Sequence, residues 1–161
     1  MLDDLQFLFK KALFFLKFRP RTEKEVFDYL FKKIKNTHYS TDDVKKVIEK
    51  LKDIGLLNDK KFIEEYVSFR LKNNPKSQRI LQFELLKKGV NKDLIDEYFS
   101  QNQVDEEGLA FSLLKKIWLR WLDFDEKKRF KKALDFLARR GFNFETAKKT
   151  IEKLSQSGKI K

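Results

Sequence analysis

The residues of this chain with the chemical means to bind another molecule are its lysines and arginines. There are 37 of them against 25 aspartates and glutamates, which gives a formal net charge of +12. They recur as pairs before a glycine, Lys87–Lys88 before Gly89 and Arg139–Arg140 before Gly141. Ammonium and guanidinium groups bind phosphate and carboxylate oxygens, so the pattern predicts a polyanionic partner, either nucleic acid or an acidic protein surface. A solvated lysine-rich surface without a partner is the alternative.

Further basic residues lie in the links between predicted helices and in the last third of the chain. The candidate contacts to a filament or a nucleic acid are Arg19, Arg21, Arg70, Lys72, Lys76, Arg79, Lys87, Lys88, Lys127, Lys128, Arg129, Lys131, Lys132, Arg139 and Arg140. A structural role competes for the pairs Lys32–Lys33, Lys87–Lys88 and Arg139–Arg140. Basic residues in the last turn of a helix interact favourably with its dipole, by about 0.3–1 kcal/mol each. Both roles stay open for these pairs, whereas the clusters in links favour binding.

The sequence predicts no catalytic, cofactor or metal site. His38 is the only histidine and there is no cysteine, so the chain lacks a metal-ligand set and a nucleophile with a histidine base. The phosphate-binding patterns GxxxxGK[ST] and GxGxxG do not occur in it. Trp118 and Trp121 have rings suited to base stacking, but the apolar stripe at 113–117 favours packing instead.

The N-terminal stretch "MLDDLQFLFKKALFFLKF" is apolar without being a signal peptide or a membrane span. Lys10, Lys11 and Lys17 interrupt it, and Asp3 and Asp4 come near its start. A secretory signal has basic residues first and then an unbroken apolar run, and a membrane span requires about 20 apolar residues. Together with the lack of cysteine, this predicts a cytoplasmic protein.

The elements that must position the basic residues are predicted to be helices. The chain has 17 phenylalanines but only 5 glycines and 2 prolines, and no alternating β-branched runs. "ELLKKGVNKDLI" (84–95) and "FLARRGFNFETA" (136–147) repeat one order of residue types, and "STDDVKKVIEKL" (40–51) matches their second half. We therefore expect an all-α chain of three tandem three-helix repeats, at 1–58, 59–104 and 105–161, forming an elongated, curved array. A compact nine-helix globule is the alternative.

Helix ends are marked by capping residues and by glycines. Short polar side chains followed by an acidic residue predict helix starts, and a glycine after a helical pattern predicts its end. The predicted caps are Thr22, Thr41, Asn91, Asp123 and Asn143, and the predicted stops are Gly55, Gly89 and Gly141. Either Asn58 or Asp59 is predicted to cap the helix that follows Gly55.

Four blocks of the sequence resemble the RecX family of bacterial regulatory proteins. They are "FRPRTEKEVFDYL", "VIEKLKDIGLLNDKKFIEEYVSFRL", "PKSQRILQFELLKKGV" and "FLARRGF". The resemblance runs from about Ala12 to Leu154, nearly the whole chain. It implies three tandem three-helix repeats, which agrees with the repeat pattern found without it.

The resemblance also implies a function without catalysis. RecX proteins bind the filament of the recombinase RecA on single-stranded DNA, lie in its groove and block its growth. They thereby lower the ATPase, strand-exchange and coprotease activities of RecA, in recombination, DNA repair and the SOS response. The expected partners are RecA and this filament, with weak direct binding of single- or double-stranded DNA. We expect a monomer that needs no cofactor.

Two other classes of protein also fit the residues. Residues 22–57 match a winged helix-turn-helix, whose second helix would enter the major groove of a specific DNA sequence. Ser40–Leu51, however, offers few of the side chains that read base edges. A helical adaptor that binds only another protein is the second alternative.

Overall fold

The computed structural model describes residues 4–159, and every regular element in that range is a helix. The elements are α1 Gln6–Leu16, α2 Glu23–Lys33, α3 Thr41–Asp53, α4 Asp59–Asn73, α5 Gln78–Lys87, α6 Lys92–Gln101, α7 Glu106–Trp118, a 3-10 turn Leu119–Trp121, α8 Glu126–Arg139 and α9 Phe144–Lys159. The predicted all-α class, with helices in three successive sets of three, is confirmed. No helix in the described range is long and apolar enough to cross a bilayer.

The helices pack into two compact units. One consists of Met1–Tyr66 with Glu84–Tyr98, and the other of Val67–Phe83 with Phe99–Lys161. The division passes through α4, α5 and α6, so each unit holds part of the middle repeat. The repeat boundaries at 58/59 and 104/105 stay a prediction.

The core of the first unit lies between α1, α2 and α3. Each helix contributes apolar residues spaced by three or four, which form one stripe on a helix. Leu8 and Ala12 of α1, and Val26 and Leu30 of α2, have no exposed surface. Burying an aliphatic side chain of this size stabilises the fold by about 1.5–3 kcal/mol. The other buried members of the cluster are Val44, Val47, Ile48, Leu51 and Leu57.

The core of the second unit follows the same rule between α7, α8 and α9. Its buried members are Ala110, Leu114, Trp118, Ala133, Leu137, Phe142, Ala147, Ile151 and Leu154. The ring of Trp118 is only 6% exposed, and Trp121 is half-buried with its ring edge-to-face against Phe136. The predicted packing role of both tryptophans is confirmed.

Three of the five caps that were predicted at a single residue are confirmed by their hydrogen bonds. Thr22 and Glu25 form a reciprocal capping box at the start of α2. The Oδ1 atoms of Asn91 and Asn143 accept hydrogen bonds at 2.8 Å from the N–H groups of Asp93 and Thr146, respectively.

The other two predicted caps are wrong by one or two positions. Ser40, not Thr41, caps α3 in a capping box with Asp43. Asp125, not Asp123, caps α8 by accepting from Lys128 N–H. In both places neighbouring residues have capping side chains, and only the backbone shows which of them precedes the first helical turn. The stops at Gly55, Gly89 and Gly141 are confirmed, with φ of 79°, 85° and 89°.

Candidate interaction surface

The start of α2 lies against the end of α5 in the first unit. The Thr22 hydroxyl donates a hydrogen bond to the carbonyl oxygen of Lys88 at 2.7 Å and accepts one from Glu25 N–H at 3.1 Å. A hydroxyl has one proton to donate and lone pairs to accept, so Thr22 caps its own helix and holds a carbonyl of the following repeat at once. It is completely buried.

Gly89 completes this joint. Its φ of 85° is in the left-handed region, where a side chain is strained. A Cβ atom at Gly89 would also collide with the Cβ and Cγ atoms of Lys24. The glycine is therefore needed both to end α5 and to let α2 approach it.

A joint of the same kind lies in the second unit, between the start of α5 and the end of α8. Ser77 N–H donates to the carbonyl oxygen of Arg140 at 2.9 Å, and Ser77 is completely buried. Gly141 has φ of 89°, and a Cβ atom there would collide with Ile80 and Ser77. In each unit a buried hydroxyl residue at the start of one helix thus hydrogen-bonds to the carbonyl oxygen of the residue before a glycine stop.

At these joints the second residue of each basic pair contacts the rest of the fold. Lys88 places its Nζ 3.6 Å from Glu25 Oε1 and 5.5 Å from the centre of the Tyr66 ring. Arg140 lies 3.7 Å above the Phe136 ring, and its Nη1 donates to the Phe136 carbonyl at 3.1 Å. Burial, and then the charge of Arg139, lowers the pKa of Arg140. The second residue of each pair is thus held by the fold.

The first residue of each pair faces solvent. Lys87 and Arg139 are both exposed, each one position before the residue that is held. The structure therefore shows a packing role for the second member of each pair, while a binding role for the first stays a prediction.

Glu25 gathers three of the candidate or capping residues of the first unit. Arg19 donates to both of its carboxylate oxygens, at 3.0 and 3.2 Å, and Thr22 N–H donates at 3.0 Å. Burial alone would raise the pKa of Glu25, but the hydrogen bonds from Arg19 and Thr22 and the charges of Arg19 and Lys88 outweigh it and lower the pKa. Arg19 and Lys88 are accordingly both paired with one carboxylate within the molecule.

Arg21 is also a packing residue. Its guanidinium group lies 3.9 Å from the centre of the Phe15 ring, which in turn stacks on Tyr29 at 4.1 Å. Its Nε donates to the Phe15 carbonyl at 3.4 Å. Burial, and then the charge of Arg19, lowers the pKa of Arg21. Such a stack orders an arginine against an aromatic face.

The first two turns of α8 carry the densest group of candidate residues. Lys127, Lys128 and Lys131 are exposed, whereas Arg129 and Lys132 are half-buried. Arg129 lies 5.4 Å from the Trp118 ring, and its Nη1 donates to the Leu122 carbonyl at 3.3 Å. Within residues 4–159 none of these five side chains forms an ion pair. We call this group, with the exposed Arg139 at the end of the same helix, the α8 basic face.

The remaining candidates lie along α4, α5 and the link between them. Lys72 and Arg79 are exposed, and Arg70 and Lys76 are half-buried and make contacts of their own. The candidates are divided between the two units: Arg19 and Lys88 meet at Glu25 in the first, and the α8 basic face lies on one helix of the second.

The first joint also contains a contact that the sequence analysis missed. Asp59 is 8% exposed, and its Oδ1 accepts from Glu23 N–H at 3.0 Å, so it caps α2 rather than its own helix. Of the two residues predicted to cap α4, Asn58 is the one that does so, by accepting from Lys61 N–H. Burial raises the pKa of Asp59, against the opposing hydrogen bond from Glu23 N–H. No local pattern predicts this pairing.

The second joint, by contrast, had a signal in the sequence. "RPRT" at 19–22 and "NPKS" at 74–77 both place a proline and a basic residue before a hydroxyl residue. An alignment of these segments predicts that Thr22 and Ser77 have equivalent positions.

The fold and the repeated joints define a class, a helical-repeat protein built from three-helix domains. Three family models match in chain order: "RecX, first three-helix domain" at residues 9–51, "RecX, second three-helix domain" at 58–98 and "RecX, third three-helix domain" at 105–151. The chain belongs to the RecX family, a family of regulatory proteins.

Individual relatives agree with this. A regulatory protein RecX of Bacillus velezensis is 37% identical over 153 residues, which cover 93% of this chain and 56% of that protein. One of Clostridium perfringens is 31% identical over 140 residues, covering 85% and 63%. This chain thus spans only part of the length of these two relatives. The crystal structure of RecX from Lactobacillus salivarius superposes with a TM-score of 0.79 at 25% identity, covering 97% of this chain and 99% of that one.

Proposed function

We propose that this chain is a non-enzymatic regulator that binds the RecA–single-stranded DNA filament. By occupying the filament it would inhibit the ATPase, strand-exchange and coprotease activities of RecA, and so modulate recombination and DNA repair in the cytoplasm. Membership of a family of regulatory proteins supports the regulatory role. The protein would act as a monomer without a cofactor, because the task is to occupy a surface.

The observation that carries the proposal is the α8 basic face. Its exposed lysines are not neutralised within residues 4–159, whereas Arg19 and Lys88 are paired with Glu25. Unpaired charges on a rigid helix attract a polyanion without first breaking an internal ion pair. We therefore assign filament contact to Lys127, Lys128, Lys131 and Arg139, and structural roles to Arg21 and Arg140.

The alternative of a winged-helix DNA reader finds less support. A winged helix requires a β-hairpin after its second helix, and the described range contains no strand. The chain after Gly55 continues directly into α4. A sequence-specific duplex reader would in addition prefer one DNA site over others, which a filament regulator has no need to do.

The test is a titration of the protein into RecA on single-stranded DNA while ATP hydrolysis is followed. We expect inhibition at less than one regulator per RecA. A triple variant, Lys127→Glu, Lys128→Glu and Lys131→Glu, should require a several-fold higher concentration. The matched control is Lys45→Glu, Lys46→Glu and Lys50→Glu, which reverses three exposed charges on α3. No effect of the wild-type protein at saturation would refute the function, and equal inhibition by the folded triple variant would refute the surface.

A further inference from the structure

The helix α1 is apolar on its outer side as well as on the side that packs in the first unit. Leu8 and Ala12 belong to the core and have no exposed surface. The large apolar residues that α1 and the turn after it leave in solvent are Phe7, Leu13, Phe14 and Phe18, which are 43%, 38%, 58% and 65% exposed. A helix that is apolar all round is normally covered on both sides, and a contiguous exposed apolar patch marks an interaction site.

Three of these residues, Phe7, Phe14 and Phe18, form a narrow stripe, which we call the α1 stripe. Spacings of seven and four residues place them within about 40° of one another around the helix. Contacts order the rings, because Phe18 meets Phe14 edge-to-face at 5.1 Å and Phe7 stacks on Tyr39 at 5.8 Å. Side chains that are ordered in advance lose little conformational freedom on binding.

Lysines lie on both sides of the α1 stripe. Lys10 and Lys17 follow one side, and Lys11 follows the other, with its Nζ 5.5 Å from the centre of the Phe7 ring. Within residues 4–159 none of these three lysines forms an ion pair. Asp4, one turn before Phe7, is the only acidic residue from 4 to 22. The flanks of the stripe are therefore positive overall and attract an acidic partner.

The width of the stripe and the position of its charges favour a helix as the partner. Two helices that pack lengthwise meet along an apolar seam, and charged residues on both flanks of that seam select the partner. A helix that lies on a lipid layer presents a broad apolar sector, whereas Lys10 and Lys17 separate the α1 stripe from Leu13. A second copy of this chain would bring lysines against lysines, which repel each other.

We propose that the α1 stripe docks an amphipathic helix of another protein, one with an apolar seam flanked on both sides by aspartates or glutamates. The rings of the stripe would enter holes between the side chains of the partner's seam, while Lys10, Lys11 and Lys17 would pair with its acidic flanks. The inference goes beyond the proposed function, because it concerns α1 rather than the α8 basic face and requires neither RecA nor DNA.

The test measures binding of two labelled peptides to the full chain by fluorescence anisotropy, without RecA. Both peptides consist of three heptads with leucine at the a and d positions, and they carry glutamate in one peptide and lysine in the other at the e and g positions. The glutamate peptide should bind and the lysine peptide should not. Phe14→Ala should weaken binding of the glutamate peptide by about 5- to 30-fold, as loss of a central contact does.

Reversal of the flanking charges gives a result that a misfolded variant could not produce. Lys10→Glu with Lys17→Glu should weaken binding of the glutamate peptide and create binding of the lysine peptide. The matched control is Phe31→Ala, which removes a ring that is 51% exposed in the same unit but lies on α2, outside the stripe. It should leave the affinity for both peptides unchanged.

Equal affinity for the two peptides, or unchanged binding by Phe14→Ala, overturns the proposal. So does binding to phosphatidylglycerol vesicles that Phe14→Ala abolishes, which would indicate a lipid surface, or self-association that the same variant abolishes, which would indicate a second copy. Since RecA is left out, a failure of RecA inhibition would refute the proposed function without deciding this result.

Discussion

Replacement of Gly89 by alanine tests whether the joint between α2 and α5 depends on a close backbone approach. Gly55 is the matched control, because both glycines have positive φ, at 79° and 85°, and both lie in the first unit. A Cβ atom at Gly55 meets nothing within 4 Å, whereas one at Gly89 collides with Lys24. The two substitutions therefore share the backbone strain and differ in the steric clash.

The magnitudes follow from that difference. A left-handed conformation costs an L-residue about 1–2 kcal/mol, which is the expected loss for Gly55→Ala. The clash at Gly89 involves the Cβ of Lys24, which cannot swing away by rotation of the side chain. Forcing an extra carbon into a packed site costs about 1–3 kcal/mol more. Gly89→Ala should thus lower the free energy of unfolding by about 2–5 kcal/mol in total.

Urea unfolding followed by far-ultraviolet circular dichroism measures both losses. The reasoning is refuted if Gly89→Ala is no more destabilising than Gly55→Ala when the unfolding free energies of both variants fall with urea at the same slope. A double-mutant cycle gives the second check, because Lys24→Gly removes the carbon that the new methyl group at position 89 would meet. Lys24→Gly costs about 1 kcal/mol alone as a glycine within a helix. The double variant should then lose less than the sum of the two single losses.

Other substitutions test the remaining contacts of the joints. Thr22→Val should lower the free energy of unfolding by about 1–3 kcal/mol, because it leaves the Lys88 carbonyl and Glu25 N–H without a partner. Thr22→Ser should retain most of the wild-type stability, because serine keeps the hydroxyl group. Arg140→Gln should lower the free energy of unfolding by about 1 kcal/mol, because the contact with Phe136 is lost. Arg139→Gln should change stability by less than about 0.5 kcal/mol but weaken RecA inhibition. The opposite result in thermal unfolding and ATPase assays would contradict the assigned roles. The folded-state pKa of Glu25 is lowered, so its contribution to stability is present above the ordinary value of 4.5 and is lost as the pH falls through the folded-state pKa. Glu25→Gln should flatten that acid limb in urea titrations at several pH values, and an unchanged limb would show that Glu25 does not produce it.

Local features of this protein were predictable from the sequence because their causes lie within one helical turn. Apolar residues spaced by three and four predict α2 and α8, because this spacing places them on one face of a helix. The stops at Gly89 and Gly141 were predictable because glycine adopts positive φ easily. The misplaced caps mark the limit of this reasoning. Thr41 and Asp123 have capping side chains, but the packing of the helix core decides which turn is the first.

Sequence patterns alone were enough to predict the helical class, the tandem repeat and the family, together with a supply of positive charge. The folded chain was needed to show which charges remain available to a partner. Thr22 meets Lys88, and Ser77 meets Arg140, across long stretches of chain, so no window of neighbouring residues contains both partners. Lys88 and Lys87 are chemically identical neighbours in the sequence. Lys87 is the last residue of α5 and is exposed, whereas the chain turns at Lys88 and directs its side chain to Glu25, so the tertiary contact decides between two identical side chains.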